Sequence, residues 1–364
     1  MPKAIGLVTC NYTTASNDDV FLGRPVASMP YLGRYRLVDF ALSNMVDAGI
    51  RNVGMIMPNN YRSLVDHVGS GKDWDLDRKN GGLFIMPGTA FGTSRTGARF
   101  LIRDLVQNRA FFTKNSEKYV VLATANFVCN VDIKALIAAH EASGANITVL
   151  TKKASCDGNI DVVTFDVEDG RVKGMHQGVK FGEEAFLDYA VIERELLLEL
   201  LDSFAAVDHL DLFEALNSEY GRFRVMINEF DGYMKPIFDK ASYFKANIDL
   251  LDPEVLDELA PQGNREIKTK AHDNPPAKYE PGCKVTNALI ASGDRIYGTV
   301  ENSILGRNVI VEPGASVRNA VIMQGVIIKT GAKIENAIID KANVVPAGTE
   351  LRGTDGDILY LKKN

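Results

Sequence analysis

Residues 301–351 read ENSILGRNVIVEPGASVRNAVIMQGVIIKTGAKIENAIIDKANVVPAGTEL, and this stretch decides the fold of the C-terminal region. Branched aliphatic residues recur in it at six-residue intervals, interrupted once at Ser316, and glycines separate the repeats. The residues on phase are Ile304, Ile310, Ile322, Ile328 and Ile334, followed one residue out of phase by Ile339, Val345 and Leu351. This period is typical of a hexapeptide β-helix whose branched residues point inward. An ordinary antiparallel β-domain would give such spacings only by chance.

The region before it alternates short apolar runs with helical patterns, which indicates an α/β fold with a mainly parallel sheet. Strands are predicted at residues 4–8, 52–57, 119–123 and 146–152, and helices at residues 35–48, 61–69 and 133–143. Asp132 and Gly144 fit the N-cap and the C-cap of the last helix. This helix and the strands on either side of it predict a βαβ unit, which is right-handed by default.

A stretch rich in proline and charge separates the two regions. Its prolines are Pro253, Pro261, Pro275, Pro276 and Pro281. Because these residues favour an extended connection, we predict an α/β domain at residues 1–251, a linker at 252–282 and a β-helix domain at 283–364.

The composition is that of an ordinary globular protein. The chain has 364 residues, of which 46% are hydrophobic and 24% charged, and its net charge is −6. This charge argues against a nucleic-acid or anionic-membrane partner. No apolar run approaches the ~20 residues that span a bilayer, and the N-terminus does not resemble a signal peptide. The cysteines (Cys10, Cys129, Cys156 and Cys283) lack metal-ligand spacing, so we expect free thiols in the cytoplasm.

Two segments carry a resemblance to a known family. Residues 30–44, PYLGRYRLVDFALSN, are followed by AGI at residues 48–50. They resemble the P-F-G-G-K-Y-R-L-I-D-F-x-L-S-N…S-G-I block of bacterial glucose-1-phosphate adenylyltransferases (ADP-glucose pyrophosphorylases). Residues 243–250, YFKANIDL, are similar to the Y-Y-x-A-N-x-D-L that ends the catalytic domain of that family. A hexapeptide β-helix follows in both cases.

The resemblance implies a fold and an activity. The fold is a Rossmann-like nucleotidyltransferase domain, with a mixed but mostly parallel sheet, followed by a left-handed parallel β-helix. The activity is the synthesis of ADP-glucose and pyrophosphate from ATP and glucose 1-phosphate, with Mg²⁺ stabilising the charge that develops.

The phosphate-binding residues of that family are missing here. Its L-A-G-G-x-G-x-R-L loop needs glycines for close backbone approach and an arginine to neutralise charge. The matching residues 9–19, TCNYTTASNDD, contain neither glycine nor a basic residue. Val26 stands in place of the lysine of the R-A-K-P motif, and valine cannot donate a hydrogen bond to a phosphate.

The metal ligands and the sugar-phosphate residues are also replaced. Asn126 takes the place of the aspartate in S-G-D-H, and Pro236 that of the aspartate in W-x-D-V-G-T. An amide holds Mg²⁺ less well than a carboxylate, and proline has no side-chain ligand. Gly178 replaces the lysine of F-x-E-K-P, and Phe186 the serine of A-S-M-G-I-Y-V-F. Losing one charge-stabilising group typically costs roughly 10²–10³ in rate. We therefore expect no catalytic residue, metal or cofactor in this chain.

This pattern is similar to that of GlgD-type, non-catalytic subunits. The resemblance implies a regulatory subunit in glycogen biosynthesis that pairs with a catalytic, Mg²⁺-dependent paralogue in a hetero-oligomer. A hetero-tetramer is expected, and a homo-oligomer if the chain is alone. Arg24, Arg34 and Arg36 are retained. In catalytic members the positions matching Arg24 and Arg36 contribute to an anionic effector site beside the β-helix, so a phosphorylated effector is expected. Alternatively, these arginines pair with Asp39 or with other carboxylates.

Other functions stay open. One is a weakly active adenylyltransferase or a sugar-nucleotidyltransferase with a different substrate, and another is a free-standing sensor of sugar phosphates or nucleotides. Acyltransferases with a hexapeptide β-helix use a histidine between coils as a general base. The histidines of this chain, at positions 67, 140, 176, 209 and 272, all precede the repeat, which argues against acyl transfer.

Overall fold

A computed structural model describes most of the chain. The described residues are 3–12, 18–89, 98–155, 157–158, 161–217, 219–259, 265–354 and 356–363. Cys156, Pro261 and positions 13–17 of the expected phosphate loop lie outside these ranges.

The helices and strands of the two regions are as follows. The helices are α1 Leu37–Asp47, α2 Arg62–Val68, α3 Ile102–Gln107, α4 Arg109–Lys114, α5 Ile133–Ser143, α6 Arg194–Ser203, α7 Leu212–Leu216, α8 Lys240–Asp249 and α9 Pro253–Leu259. The strands of the α/β domain are β1 Ala4–Thr9, β2 Pro30–Tyr31, β3 Tyr35–Arg36, β4 Asn52–Met57, β5 Gly82–Pro87, β6 Tyr119–Thr124, β7 Phe127–Cys129, β8 Ile147–Lys153, β9 Val163–Glu168, β10 Arg171–Gln177, β11 Glu184–Glu193, β12 Val225–Glu229 and β13 Met234–Pro236. The strands of the β-helix are β14 Lys278–Tyr279, β15 Lys284–Ile290, β16 Arg295–Ile296, β17 Thr299–Leu305, β18 Ile310–Val311, β19 Ser316–Ile322, β20 Ile327–Ile328, β21 Lys333–Ile339, β22 Val344–Val345, β23 Glu350–Arg352 and β24 Leu359–Leu361.

The α/β domain is built on one sheet with the strand order β5-β4-β1-β6-β11-β8-β12-β10-β9. Only β10 and β11 run against the common direction among these described strands, so the predicted mixed, mostly parallel sheet is confirmed. Helices α1 and α5 cover one face through a core that includes Phe40 and Leu136. Helices α3, α4, α6 and α7 cover the other face.

The predicted helix at residues 133–143 has the bounds expected from the sequence. The Asp132 carboxylate accepts a hydrogen bond from the Ala135 N–H at 2.9 Å, and Gly144 ends the helix at φ 60°. Strands β6 and β8 run parallel, as predicted, but they are not neighbours. Strand β11 lies between them and is antiparallel to both, because its nearly continuous buried run fits the centre of the sheet.

The C-terminal region is a parallel β-helix, whose first coil has fifteen residues, from Lys284 to Thr299, and whose following coils have seventeen. Thr299 pairs with Ser316, which pairs with Lys333. Seventeen is one residue short of three hexapeptides, so each such coil shifts the hexapeptide phase by one residue. The prediction was therefore wrong for Ile304, which faces the α/β domain, and for Ile310, which is half-buried. The interior includes Val311, Val317, Ile322, Ile328, Ile334, Ile339 and Val345.

Asparagines form one corner of the coils. Asn302, Asn319 and Asn336 have φ between 45° and 49°, in the left-handed region that asparagine tolerates better than most residues. Their side chains form a ladder that begins at Asn287, with Nδ2 to Oδ1 distances of 2.9 Å from Asn287 to Asn302 and 3.0 Å from Asn302 to Asn319. The ladder satisfies polar groups that the tight corner would otherwise leave unpaired.

The two regions share a continuous core. Ile304, Val321 and Ile338 point outward from the β-helix and join the core that contains Tyr243 and Phe244 of α8. Within residues 252–282, α9 forms a short helix and β14 already pairs with β16 of the β-helix. No helix in the described part of the chain combines the length and the apolarity needed to cross a bilayer.

Candidate functional site

The crevice of the sheet lies at the carboxyl ends of β1 and β6, where α/β proteins bind ligands. Thr9 and Thr124 pair there, and Asn126 lies two residues beyond the end of β6. Strand β13 places Pro236 opposite Phe127, and the Ile237 N–H donates to the Asn126 carbonyl oxygen at 2.9 Å. The two positions that the family resemblance assigns to metal ligands are therefore adjacent.

These two residues do not suit a divalent cation. Asn126 is 2% exposed, and its Nδ2 finds no hydrogen-bond partner among the described residues. Mg²⁺ is held through carboxylates and water, and proline offers no side-chain oxygen. Within the described ranges, no group of three or more His, Cys, Asp or Glu side chains could hold a metal ion. No catalytic step through a metal follows from this arrangement.

A buried ion pair lies near the same edge of the sheet. Arg99 Nε lies 2.6 Å from Asp188 Oδ1, and Asp188 Oδ2 accepts a hydrogen bond from Thr124 Oγ1 at 3.0 Å. The Arg99 guanidinium sits 5.5 Å from the centre of the Tyr12 ring, just after β1. Burial raises the pKa of Asp188 to about 6, against the opposing effect of Arg99. Both side chains are almost fully buried, so the charge of Arg99 is already offset by a carboxylate of the protein itself.

Sequence reasoning missed this pair because no motif contains Arg99. One signal was present, since Asp188 interrupts the apolar run of β11. Its φ of 57° lies in the left-handed region, at an irregularity in the strand. A non-glycine residue in that conformation is uncommon and is found most often at functional or strained sites.

Two more of the replaced positions, Val26 and Gly178, lie on other segments of the chain. Val26 is 4% exposed and packs in the core, in a short turn before β2. The Gly178 N–H donates to the Val162 carbonyl at 2.8 Å, and its own carbonyl accepts from Thr164 Oγ1 at 2.7 Å. Both residues have local structural roles in the described structure.

A second site is a cavity of about 410 Å³ between the α/β domain and the β-helix. It brings together all three arginines singled out from the sequence, Arg24, Arg34 and Arg36. The hairpin β2–β3 carries two of them. Its turn can approach the β-helix closely because Gly33 has no side chain, and a Cβ there would lie 2.5 Å from the Leu305 carbonyl oxygen.

Sequence reasoning missed most of the remaining polar lining of this cavity. The further acidic, basic or imidazole side chains of the lining are Asp66, His67, Lys270, His272, Arg307, Lys341 and Lys363. Arg307, Gln324 and Lys341 are spaced by one coil of seventeen residues and so form one column on the β-helix. That spacing was readable in the sequence, but only with the correct coil length.

The arginines differ in how firmly they are held. Arg24 forms an ion pair with Asp340 of the β-helix, whose Oδ2 also accepts from the Tyr360 hydroxyl at 2.8 Å. Arg36 Nη1 donates to the carbonyl and the hydroxyl of Ser63, at 2.7 and 3.0 Å. A carboxylate partner therefore exists for Arg24, and it is Asp340 rather than Asp39.

Asp39 has a different role. Its Oδ2 accepts from the backbone N–H of Arg36 at 2.9 Å, which caps α1, and its Oδ1 lies 2.6 Å from His67 Nε2. Arg34 is exposed, and its guanidinium stacks 4.5 Å from the centre of the Tyr35 ring.

Positive charge in the cavity exceeds the negative charge that faces it. Burial and neighbouring guanidinium groups lower the pKa of Arg36 and of Arg307. Burial, together with Arg24 and Arg36, lowers the pKa of Lys341. Such mutual repulsion is relieved when an anion enters, and guanidinium groups bind phosphate particularly well. The cavity is therefore suited to a phosphate-bearing ligand.

Comparisons with known protein families agree with this architecture. The family described as "Nucleotidyl transferase" matches residues 23–176. The family described as "GlmU-like, C-terminal hexapeptide" matches residues 275–357. Together with the fold, these matches define a nucleotidyltransferase-type domain followed by a left-handed hexapeptide β-helix, as predicted.

Curated relatives narrow the class further. The chain is 32% identical to the glycogen biosynthesis protein GlgD of Geobacillus stearothermophilus, over 86% of this chain and 83% of that protein. It is 30% identical to GlgD of Bacillus subtilis, over 86% and 82% of the respective chains. It is 31% identical to the glucose-1-phosphate adenylyltransferase of Thermotoga maritima, over 80% of this chain and 70% of that enzyme. The chain belongs to the family that comprises GlgD proteins and glucose-1-phosphate adenylyltransferases.

Proposed function

We propose that the chain is a non-catalytic, regulatory subunit of a glucose-1-phosphate adenylyltransferase that acts in glycogen biosynthesis. The observation that carries this proposal is the adjacency of Asn126 and Pro236. The backbone keeps the two metal-ligand positions together, but neither side chain is a carboxylate. The buried Arg99–Asp188 pair supports the same conclusion, because a cation near this edge of the sheet is already paired with a carboxylate of the protein.

The regulatory part of the proposal rests on the cationic cavity. A phosphorylated effector there would contact the hairpin arginines on one side and the Arg307 column on the other. Since the binding energy then depends on how the two domains are placed, effector binding favours one arrangement of the domains. A neighbouring subunit that packs on either domain senses that arrangement, which is the basis of coupling between sites.

The catalytic paralogue is the proposed partner, in a cytoplasmic hetero-tetramer, and it supplies Mg²⁺ and turnover. The first coil of the β-helix offers a docking surface, since β15 ends its sheet. Its Val285, Ala288 and Ile290 are only partly buried against the interior. Edge strands of this kind are normally covered.

The test is an assay of ADP-glucose formation by this chain alone, by the catalytic paralogue of the same genome, and by the two co-expressed. We expect no turnover by the chain alone and a changed effector response of the complex. ADP-glucose formation by the chain without the paralogue would instead support the alternative, an active adenylyltransferase. Unchanged kinetics of the paralogue would contradict a regulatory role.

A matched pair of variants separates the effector site from general charge. Arg36→Ala removes a cavity cation, whereas Arg318→Ala removes an exposed arginine of β19 that pairs with Glu301. Only Arg36→Ala should reduce the effector response of the complex. If both variants respond like the unmodified subunit, the cavity is not the effector site.

A further inference from the structure

His272 belongs to the lining of the cationic cavity, on the segment that leads into the β-helix. It is exposed to solvent, so its protonation can follow the pH of the medium. Its backbone neighbour is anchored, because the Ala271 N–H donates to Asp73 Oδ1 at 3.0 Å. The imidazole is thus presented to the cavity from a tethered segment.

Charged and titratable groups from several elements line the cavity together with this histidine. They are Arg24, Arg34 and Arg36 from the turn before β2 and the hairpin, Asp66 and His67 from α2, Lys270 from its own segment, Arg307 and Lys341 from the β-helix, and Lys363 from the C-terminus. Asp273 follows His272 directly in the chain and is exposed. Cations dominate this set. Burial, followed by the charges of Arg307, Lys270, His67 and Arg36, lowers the pKa of His272 below its ordinary value of 6.5.

The second histidine of the cavity is in a different situation. His67 is 4% exposed, and its Nε2 lies 2.6 Å from the buried carboxylate of Asp39. Its ring therefore already has an anionic partner inside the protein. His272 is the histidine whose charge state depends on whether an external anion offsets the surrounding cations.

We propose that anion binding in this cavity is coupled to the uptake of a proton by His272, so that the affinity for the anion rises as the pH falls. This inference rests on the proposed effector site and adds its regulation. In the free protein, burial and the surrounding cations disfavour the charged imidazolium. A bound dianion offsets their charge and accepts a hydrogen bond from the imidazolium.

The sign of the effect follows from linkage. Anion binding raises the pKa of His272. A proton is therefore taken up on binding at pH values between the pKa of His272 in the free protein and its pKa in the complex. Across that interval the affinity increases by at most about tenfold per pH unit, which is the limit for one linked proton. At pH values below the pKa of His272 in the free protein, the histidine is already charged, and the affinity for the anion no longer depends on pH.

The experiment is isothermal titration calorimetry of the full chain with sulfate and with pyrophosphate, between pH 5.5 and pH 8. Sulfate is the decisive probe because it remains a dianion throughout this range, so any proton taken up belongs to the protein. Titrations at one pH in two buffers of different ionisation enthalpy measure the number of protons. The variants are His272→Gln and, as a matched control, His176→Gln, which removes a partly exposed histidine of β10 outside the cavity lining.

We expect the unmodified chain and His176→Gln to take up a fraction of a proton on binding sulfate, and His272→Gln to bind with little pH dependence. Uptake that persists in His272→Gln would overturn the inference and would assign the proton to another group of the cavity. Binding without any proton uptake would also overturn it, while leaving the effector site intact. No binding of either probe by the unmodified chain would remove the effector site itself, and the inference with it.

Discussion

Arg24 and Asp340 join the two domains through an ion pair at the wall of the cationic cavity. Arg24 precedes the hairpin of the α/β domain, and Asp340 follows β21 of the β-helix. The side chain of Asp340 is fully buried and that of Arg24 is 14% exposed. Burial opposes ionisation of Asp340, but the hydrogen bond and the charge of Arg24 hold its pKa below the ordinary value. The pair therefore links a cavity residue to the stability of the domain junction.

Removing one partner should be costly. Arg24→Gln leaves the Asp340 carboxylate buried without its cation, and we expect the free energy of unfolding to fall by about 3 kcal/mol. Arg318→Gln is the control, because its pair with Glu301 is exposed and should contribute less than ~1 kcal/mol. Urea denaturation measures both. Equal, small losses in the two variants would show that the interdomain pair contributes no more than a surface pair.

The adjacency of Asn126 and Pro236 predicts a partial gain of function. In the double variant Asn126→Asp/Pro236→Asp, two carboxylates should meet and bind Mn²⁺ at roughly millimolar concentration. No ADP-glucose should form, because Val26 and the glycine-free loop are unchanged. Electron paramagnetic resonance of Mn²⁺ and an activity assay test the two parts. The single variants are the controls, and metal binding as strong with one carboxylate as with two would contradict the shared site.

The asparagine ladder predicts that two substitutions of Asn319 destabilise the protein to different extents. Asn319→Ala removes its ladder hydrogen bonds and leaves alanine at φ 45°, so the free energy of unfolding should fall by about 2–3 kcal/mol. Asn319→Gly also loses the hydrogen bonds but tolerates the backbone, and it should recover about 1 kcal/mol of that loss. Chemical denaturation of the two variants decides the matter. If the Asn319→Gly variant is less stable than the Asn319→Ala variant, the positive φ at this position does not contribute to the loss.

The β-helix contains a carboxylate that should make stability depend on pH. Asp294 is fully buried and accepts N–H groups from Val309 and Ala291 at 2.8 and 3.1 Å. Burial raises its pKa to about 7, although these hydrogen bonds oppose the change. Since the folded state holds this proton more tightly than the unfolded state, stability should be lost as the pH rises from about 4 to about 7.

The variant Asp294→Asn cannot titrate, so this loss, a few kcal/mol at most, should shrink in it. The measurement is the free energy of unfolding at pH 5 and at pH 7.5 for the unmodified chain and the variant. Asp273→Asn, at an exposed position, is the control and should behave like the unmodified chain. The same pH dependence in Asp294→Asn would assign the effect to other groups.

Local patterns were enough to predict many of the elements. The strand at residues 52–57 and the helix at residues 133–143 have the expected bounds, because burial on one face and caps at the ends are written in neighbouring residues. The position of β11 between β6 and β8 was not predictable in this way. Strand order depends on which long-range pairing buries the most apolar surface, and no local pattern records it.

The candidate site divides in the same manner. Arg24, Arg34 and Arg36 could be singled out because a family-like block contains them, and Asn126 and Pro236 because they stand where carboxylates were expected. Asp340, Arg307 and His272 could not, since each comes to the cavity from a different part of the chain. Their roles depend on the short distances between charged groups, and these distances exist only in the folded chain.

The sequence by itself determined the hexapeptide β-helix, the α/β domain and the replacement of the expected catalytic residues, because each depends on residue type at a local spacing. The tertiary structure alone decided that the coils after the first have seventeen residues, that Ile304 faces outward to join the domains, and that the retained arginines share one cavity with cations of the β-helix. It also decided that Arg99 and Asp188 meet. These features depend on packing between segments distant in the chain, where shape and charge are matched in space rather than along the sequence.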